Sequence, residues 1–188
     1  MCFVVSLIRN NKDHIIDTRL LQLGLFFTTF ADLALVILEN YILGVIIFTI
    51  VQLIYIGRYT RDKFNIVLRK LLIVFAIIFS SYFIISKVII KTSFILIPIG
   101  LFYAVCLITS VVKAIAISQD SSYLNRNKHM IAVAMVLFLL CDASIAISYV
   151  LRALNIVKVS YLFSNLIWIF YLPSQVLLSL SGYGKSNW

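Results

Sequence analysis

Charged residues, proline and glycine are all scarce in this sequence. Asp, Glu, Lys and Arg make up 12% of its 188 residues, and the chain has two Pro and six Gly. A soluble globular domain carries roughly twice that charged fraction, so the composition excludes this class. No Pro/Gly-rich linker separates one part of the chain from another. Apolar residues are abundant instead, at 63%, and we expect an integral membrane protein.

Cysteine and histidine are also few, and none is spaced for metal binding or disulfide pairing. The three cysteines, Cys2, Cys106 and Cys141, lie in or beside apolar stretches and form no CxxC pair. They are typical of small buried apolar side chains. His14 and His129 have no HxxxH or HExxH partner, which argues against a catalytic zinc. We expect a protein that requires neither a metal nor an organic cofactor.

Six apolar segments approach or exceed the ~20 residues that a helix needs to cross ~30 Å of hydrocarbon. They lie at about 20–38, 41–57, 70–86, 92–112, 130–151 and 159–181. The N-terminal run MCFVVSLI is too short to span, so residues 1–17 are predicted to be a short N-terminal stub. We predict an all-α fold, a polytopic membrane helical bundle of about six to seven transmembrane helices, with residues 1–188 as a single integral membrane domain.

Basic residues outnumber acidic ones by 16 to 7, which gives a net charge of +9. A nucleic-acid-binding protein would place them in a stripe on a folded face, whereas here they lie in short connectors between apolar runs. Twelve of them fall on one side of the predicted membrane and four on the other. The positive-inside rule therefore places the first side, with the C-terminus, in the cytoplasm. We expect the plasma membrane as the location and no nucleic-acid partner.

Two of the predicted spans contain a single acidic residue each. Asp142 lies in LFLLCDASIAI, residues 137–147, and Asp32 in FTTFADLALVIL, residues 27–38. A carboxylate near the middle of a bilayer costs about 3 kcal/mol on insertion scales, and such residues usually face a bundle interior or a cavity. Each lies thirteen residues beyond an interfacial residue, Arg19 or His129, and hence about 20 Å from the cytoplasmic edge. Equal depth allows the two carboxyl groups to meet. Structural hydrogen bonding to a Ser, Tyr or backbone group is the alternative.

Four more polar side chains lie on spans that return to the cytoplasm. Gln52 and Gln175 share a level near the cytoplasm, and Tyr103 and Tyr171 lie between these amides and the aspartates. Together they predict a polar cavity that opens toward the cytoplasm and narrows to a floor of carboxyl groups. Interhelical hydrogen bonding is the alternative for the same four side chains.

The connector from Arg58 to Lys70 carries several basic residues and is predicted to be a solvated loop near lipid headgroups. Arg58, Arg61 and Lys113 all lie on the predicted cytoplasmic side. They are therefore candidates to meet the phosphate of a lipid head group.

Four motifs resemble one known family. FTTFADLALVIL, IFTIVQLIYIGR, LFLLCDASIAI and WIFYLPSQVLLSLS, in this order and spacing, are similar to the YhhN-like family of membrane lysoplasmalogenases. The resemblance covers residues 18–181. Its most specific parts are LLCD, similar to the family's F-x-x-S-D helix, and YLPSQ, similar to its terminal Tyr-x-x-x-Gln pattern.

The resemblance implies a hydrolase that cleaves the vinyl ether bond of lysoplasmalogens to a fatty aldehyde and a glycerophospho-head group. It implies that Asp32 and Asp142 are the reactive pair. It also matches Gln52, Tyr55, Tyr171 and Gln175 to polar positions near the pocket, with the lysophospholipid substrate supplied by the bilayer. The chain departs from the family in having six spans and a stub instead of about eight spans. It also has Ala31 in place of Gly, and Cys141 in place of Ser, before the two aspartates.

The chemistry suits two buried carboxyl groups. A vinyl ether is cleaved by protonation of its β-carbon, which leaves an oxocarbenium ion that water traps. Burial disfavours the charged form of a carboxyl group, so a buried aspartic acid can keep its proton near neutral pH. Asp142, nearer the middle of its span, is the expected acid. The alternatives are a small proton-coupled membrane transporter that uses the same aspartates, and an inactive lipid-binding member of the family.

Overall fold

The structure is a computed structural model that describes residues 15–60, 63–86, 95–119 and 125–182. In these ranges the chain forms helices and no strand, which confirms the predicted all-α bundle. Each helix in the described ranges is long and apolar enough to cross a membrane. Residues 1–14 of the predicted stub lie outside the described residues, and residues 15–17 belong to the first helix. The helices are α1 (Ile15–Val36), α2 (Tyr41–Thr60), α3 (Phe64–Ile85), α4 (Leu96–Ser118), α5 (Asn125–Ala153) and α6 (Val157–Leu180).

Two helices begin well before the apolar segments that predicted them. Helix α3 begins at Phe64, where we expected a loop up to about residue 70, and α5 begins at Asn125 instead of about residue 130. Arg69 and Lys70 therefore lie within α3 and not in a solvated loop. The reason is that backbone hydrogen bonding continues past the apolar stretch, and long basic side chains can extend from a helix toward polar surroundings.

The turn between α1 and α2 is short and capped by its own residues. Glu39 adopts a left-handed backbone conformation with φ 50°. The Asn40 side-chain oxygen accepts a hydrogen bond from the Leu43 N–H at 3.0 Å, which is N-cap geometry for α2. Because the connection is so short, α1 and α2 form a helical hairpin.

The turn between α5 and α6 forms a second hairpin. Asn155 has φ 60°, and its N–H donates to the Arg152 carbonyl at 3.0 Å. The Ile156 N–H donates to the Leu151 carbonyl at 2.9 Å. This pair of bonds around a left-handed residue is the Schellman motif, which ends α5 sharply and lets α6 return.

The chain divides into two compact units. The N-terminal unit is Arg19–Ser110, and the C-terminal unit consists of the described residues of Met1–Thr18 and Val111–Trp188. In the N-terminal unit α2 buries nine residues, whereas Leu71 is the buried residue of α3. Ile56 of α2 packs with Leu71 and with Cys106 of α4 in a small core. Helix α2 is therefore the central helix of this unit.

The C-terminal unit contains the hairpin of α5 and α6, which pack against each other. The Ser174 hydroxyl of α6 donates to the Ala134 carbonyl of α5 at 2.9 Å. At the turn end of the hairpin, Arg152 Nη2 donates to the Ser164 hydroxyl at 2.9 Å. Small hydroxyl residues that bridge neighbouring helices are typical of packing inside a membrane. Pro173 lies within α6 without ending it.

Close packing of α1 on α2 makes Gly24 sensitive to enlargement. A methyl group added at Gly24 would lie 2.5 Å from Tyr55 Cε1, and the Tyr55 ring is fully buried. We expect Gly24→Ala to destabilise the protein by about 1–3 kcal/mol, the usual cost of overpacking. Thermal unfolding in detergent micelles measures this.

Gly100, in α4, is the matched control. A methyl group there meets no atom of the described structure within 4 Å. Because alanine is the better helix former, Gly100→Ala should leave stability unchanged or raise it by up to about 1 kcal/mol. Equal unfolding temperatures for the two variants would contradict the packing described for Gly24.

Candidate functional site

Asp32 and Asp142 occupy equivalent positions on their helices. In both α1 and α5, the side chains eleven, seven, four and one residues before the aspartate are buried, and the aspartate itself is half-buried. Neither aspartate is without an interaction partner. The buried positions form the arc of the helix that avoids lipid, so each carboxyl group lies along that arc. They are Leu21, Leu25, Thr28 and Ala31 in α1, and Ile131, Met135, Phe138 and Cys141 in α5.

The glutamines of the two returning helices match in the same way. Gln52 of α2 is fully buried, and Gln175 of α6 is 6% exposed. In both helices the residue before the glutamine, and those three and four residues after it, are buried. These neighbours are Val51, Tyr55 and Ile56 in α2, and Ser174, Leu178 and Ser179 in α6. Each hairpin therefore carries a carboxyl group on its first helix and a buried amide on its second.

Both buried amides have a nitrogen with no bonding partner in the described part of the chain. The Gln52 carbonyl oxygen Oε1 accepts a hydrogen bond from the Ser110 hydroxyl at 2.6 Å, but its Nε2 has no acceptor there. Gln175 Nε2 likewise has none among the described residues. A buried polar group left unpaired costs about 1–3 kcal/mol, so these two nitrogens need an explanation. A bound oxygen-rich ligand would provide one.

Contacts within the first hairpin determine how far apart its polar groups lie along the helix axis, a position that we call their level. Gly24 lies against Tyr55, and Gly44 lies against Leu35, so the two helices are antiparallel neighbours with a defined register. In that register Gln52 lies about five residues beyond the level of Asp32, or ~7–8 Å along the helix axis. The displacement is toward Arg58, at the end of α2. The amide therefore lies between the levels of the carboxyl group and the guanidinium group.

The end of α2 is buried, contrary to our expectation for the basic connector. Arg58 is 1% exposed and Tyr59 is 7% exposed. The Arg58 guanidinium carbon lies 5.9 Å from the centroid of the Tyr59 ring, and that ring stacks on Tyr55 with centroids 6.1 Å apart. Arg58 therefore belongs to the interior of the protein, where a cation is retained only with partners. Arg61, the second candidate for a phosphate contact, lies outside the described residues, and Lys113 is half-buried in α4.

Tyr103 and Tyr171 are both half-buried beside an aromatic ring of a neighbouring helix. The Tyr103 ring of α4 lies 6.3 Å from that of Phe48 in α2. The Tyr171 ring of α6 lies 6.2 Å from that of Phe138 in α5. Phe138 is one turn before Asp142, so Tyr171 lies near the carboxyl-bearing part of its own hairpin. The predicted cytoplasmic cavity, and the meeting of the two aspartates, stay predictions.

No group of three or more His, Cys, Asp or Glu side chains that could hold a metal ion occurs in the described ranges. Cys106 and Cys141 are both buried. The expectation that no cofactor is required stays a prediction.

Ser110 was not among the site residues predicted from the sequence. It lies inside the apolar span α4 and is fully buried, and it forms a side-chain bond to the amide of another helix. Its one signal was a hydroxyl group within an apolar run. Most such hydroxyls bond to their own helix, as Thr109 does to the Val105 carbonyl at 2.7 Å. Sequence alone therefore could not distinguish Ser110 from its neighbour.

Comparison with known proteins supplies the family. No curated protein and no solved structure matches the chain. A sequence model described as the YhhN family matches residues 1–182, and so extends over the N-terminal segment that the motifs alone did not cover. Because that match spans nearly the whole chain, this integral membrane protein belongs to the YhhN family.

Proposed function

We propose that this protein is a lysoplasmalogenase-like hydrolase. Its substrate is a lysophospholipid with a vinyl ether chain, and its products are a fatty aldehyde and a glycerophospho-head group. The observation that carries the proposal is the equivalent placement of Asp32 and Asp142, each as the single acidic residue in the apolar part of its span, in a member of the YhhN family. Two such carboxyl groups are the kind of residue that is expensive in a membrane and retained for function.

The proposed reaction needs one acid and one carboxylate. Asp142 donates its proton to the β-carbon of the vinyl ether, and the adjoining carbon becomes an oxocarbenium ion. Ionised Asp32 stabilises that positive charge and accepts a proton from the attacking water, which gives a hemiacetal. The hemiacetal collapses when its hydroxyl group gives its proton to ionised Asp142, the C=O bond of the aldehyde forms and the bond to the glycerol oxygen breaks. Asp32 gives the departing glycerol oxygen the proton that it took from water, so Asp142 ends protonated and Asp32 ionised, as both began.

The position of these groups suits the substrate. Asp142 lies inside α5, in a span whose exposed side chains include Val136, Leu140 and Ile145. The alkenyl chain of a lysolipid can therefore remain in the hydrocarbon while its vinyl ether reaches the carboxyl group. Gln52, Tyr55, Tyr103, Tyr171 and Gln175 are proposed to bind the polar part of the substrate.

The test is aldehyde release by purified protein from a 1-alkenyl lysophospholipid, beside the matched 1-alkyl ether with a saturated chain. Acid-catalysed cleavage requires the double bond, so the alkenyl lipid should release aldehyde and the alkyl lipid should release none. The two lipids differ only in the double bond of the ether chain, which makes the alkyl ether the control for lipid binding and detergent effects.

Two outcomes would contradict the proposal. Folded protein that leaves the alkenyl lipid intact would exclude the hydrolase. Movement of a proton-coupled solute across liposomes by that same inactive preparation would establish the transport alternative.

A further inference from the structure

Ser110 and Gln52 form a buried side-chain pair between α4 and α2. Both residues are fully buried, and the Ser110 hydroxyl donates to Gln52 Oε1 at 2.6 Å. Few side-chain hydrogen bonds in proteins join two side chains, since most go to the backbone or to water. The pair therefore fixes a particular orientation of the Gln52 amide.

The consequence of this bond lies at the other end of the amide. A glutamine amide has one acceptor oxygen and two N–H donors. With Oε1 held by Ser110, Nε2 points the other way, and in the described part of the chain it has no acceptor. Burying such a donor without a partner is unfavourable, so the arrangement is that of a donor prepared for a ligand oxygen.

The level of this donor identifies the part of the substrate that would supply the oxygen. Gln52 lies ~7–8 Å along the helix axis from the level of Asp32, on the side of Arg58. In a lysolipid whose vinyl ether is at an aspartate, the glycerol hydroxyl and the phosphodiester are the oxygens displaced in the polar direction. The alkenyl chain, which has no acceptor, extends the opposite way.

We infer that Ser110 is a positioning residue, which orients Gln52 so that Nε2 donates to an oxygen of the glycerophosphate part of the substrate. The inference rests on the proposed function. It adds a residue that acts through Gln52 and does not touch the reacting atoms. Its expected signature is a change in substrate binding without a change in the chemical step.

The kinetic test is Ser110→Ala, which removes the donor to Oε1. One hydrogen bond to the substrate is worth about 3- to 10-fold in binding, so KM should rise by about that factor while kcat stays within about 2-fold. Ser110→Thr keeps the hydroxyl and should restore the KM. Thr109→Ala is the matched control, because the Thr109 hydroxyl bonds to its own helix, and its KM should equal that of the parent.

A double variant separates positioning from simple packing. In a Gln52→Leu background, Ser110→Ala should raise KM no further, because the amide through which Ser110 acts is already absent. Additive effects on KM, or a lower unfolding temperature of Ser110→Ala with an unchanged KM, would overturn the inference.

A binding measurement tests the role of Ser110 independently of the proposed hydrolase activity. The probe is the non-cleavable 1-alkyl lysophospholipid, whose Kd is measured by equilibrium dialysis in detergent. A weaker Kd in Ser110→Ala, with parent-like Kd in Thr109→Ala, supports the positioning role even if the parent releases no aldehyde. Equal Kd values in parent and Ser110→Ala overturn it even if the parent is an active hydrolase.

Discussion

Replacement of Asp142 by asparagine is expected to abolish aldehyde release. Asparagine has nearly the same shape but has no acidic proton to transfer to carbon. General acid catalysis by a positioned side chain contributes about 10²- to 10⁴-fold to the rate. We therefore expect kcat to fall by about 10²-fold or more. The measurement is the initial rate of aldehyde formation, with circular dichroism and unfolding temperature to show that the helices are intact.

Ser144→Ala is the control on the same helix. Ser144 is buried two residues after Asp142, and its hydroxyl bonds to the Leu140 carbonyl at 2.8 Å, within α5. We expect the Ser144→Ala variant to release aldehyde at the parent rate.

Rate-limiting proton transfer to carbon also predicts a slower parent reaction in D₂O. An Asp142→Asn variant that is folded and retains more than a tenth of the parent rate would exclude Asp142 as the acid.

Replacement of Asp32 by asparagine has the second largest expected effect. In the proposed mechanism, this variant keeps the acid, Asp142, but loses the negative charge that would stabilise the oxocarbenium ion. Removing one group that stabilises transition-state charge costs about 10²- to 10³-fold in kcat, and we expect that loss here. The residual reaction should keep its solvent isotope effect, because the proton transfer from Asp142 still occurs.

The pH dependence distinguishes the two roles. The parent rate should fall as the pH rises through the ionisation of the acid, because only protonated Asp142 can donate. It should fall again at low pH, because protonated Asp32 no longer carries the stabilising charge, and the profile is bell-shaped. Asp32→Asn should lose the low-pH decline and keep the high-pH one.

Glu39→Gln is the control for the loss of a carboxylate. Glu39 is exposed in the turn after α1, outside the helix that carries Asp32. Its rate and pH profile should be those of the parent. An Asp32→Asn variant with a parent-like bell-shaped profile would show that Asp32 has no part in the reaction.

Much of the fold followed from the sequence because lipid imposes a simple rule. A chain that crosses hydrocarbon must satisfy its backbone polar groups internally, so long apolar runs with short connectors become helices. The positions of Asp32 and Asp142 within their spans could be read in the same way, since a charge in an apolar run is unmistakable. The helix ends were predicted less accurately, because α3 and α5 extend into polar sequence that the apolar pattern does not mark.

The sequence did not show which face of each helix is buried against protein. In a soluble protein the apolar face of a helix identifies the core, but a membrane helix is apolar on all sides. Helices α2 and α3 are both strongly apolar, yet nine residues of α2 are buried whereas α3 buries Leu71 among its described residues. Only tertiary packing decides which apolar face meets protein and which meets lipid.

The sequence by itself determined the helical membrane fold, the family motifs and the two lone carboxyl groups. Each of these features depends only on residues that are near one another in the chain. The tertiary structure alone decided that Arg58 is buried, that Ser110 holds Gln52, and that the two hairpins bury matching positions around their aspartates. The reason is that these features depend on which side chains of different helices come together. Pairs such as Ser110 and Gln52 are 58 residues apart in the chain and share no local pattern.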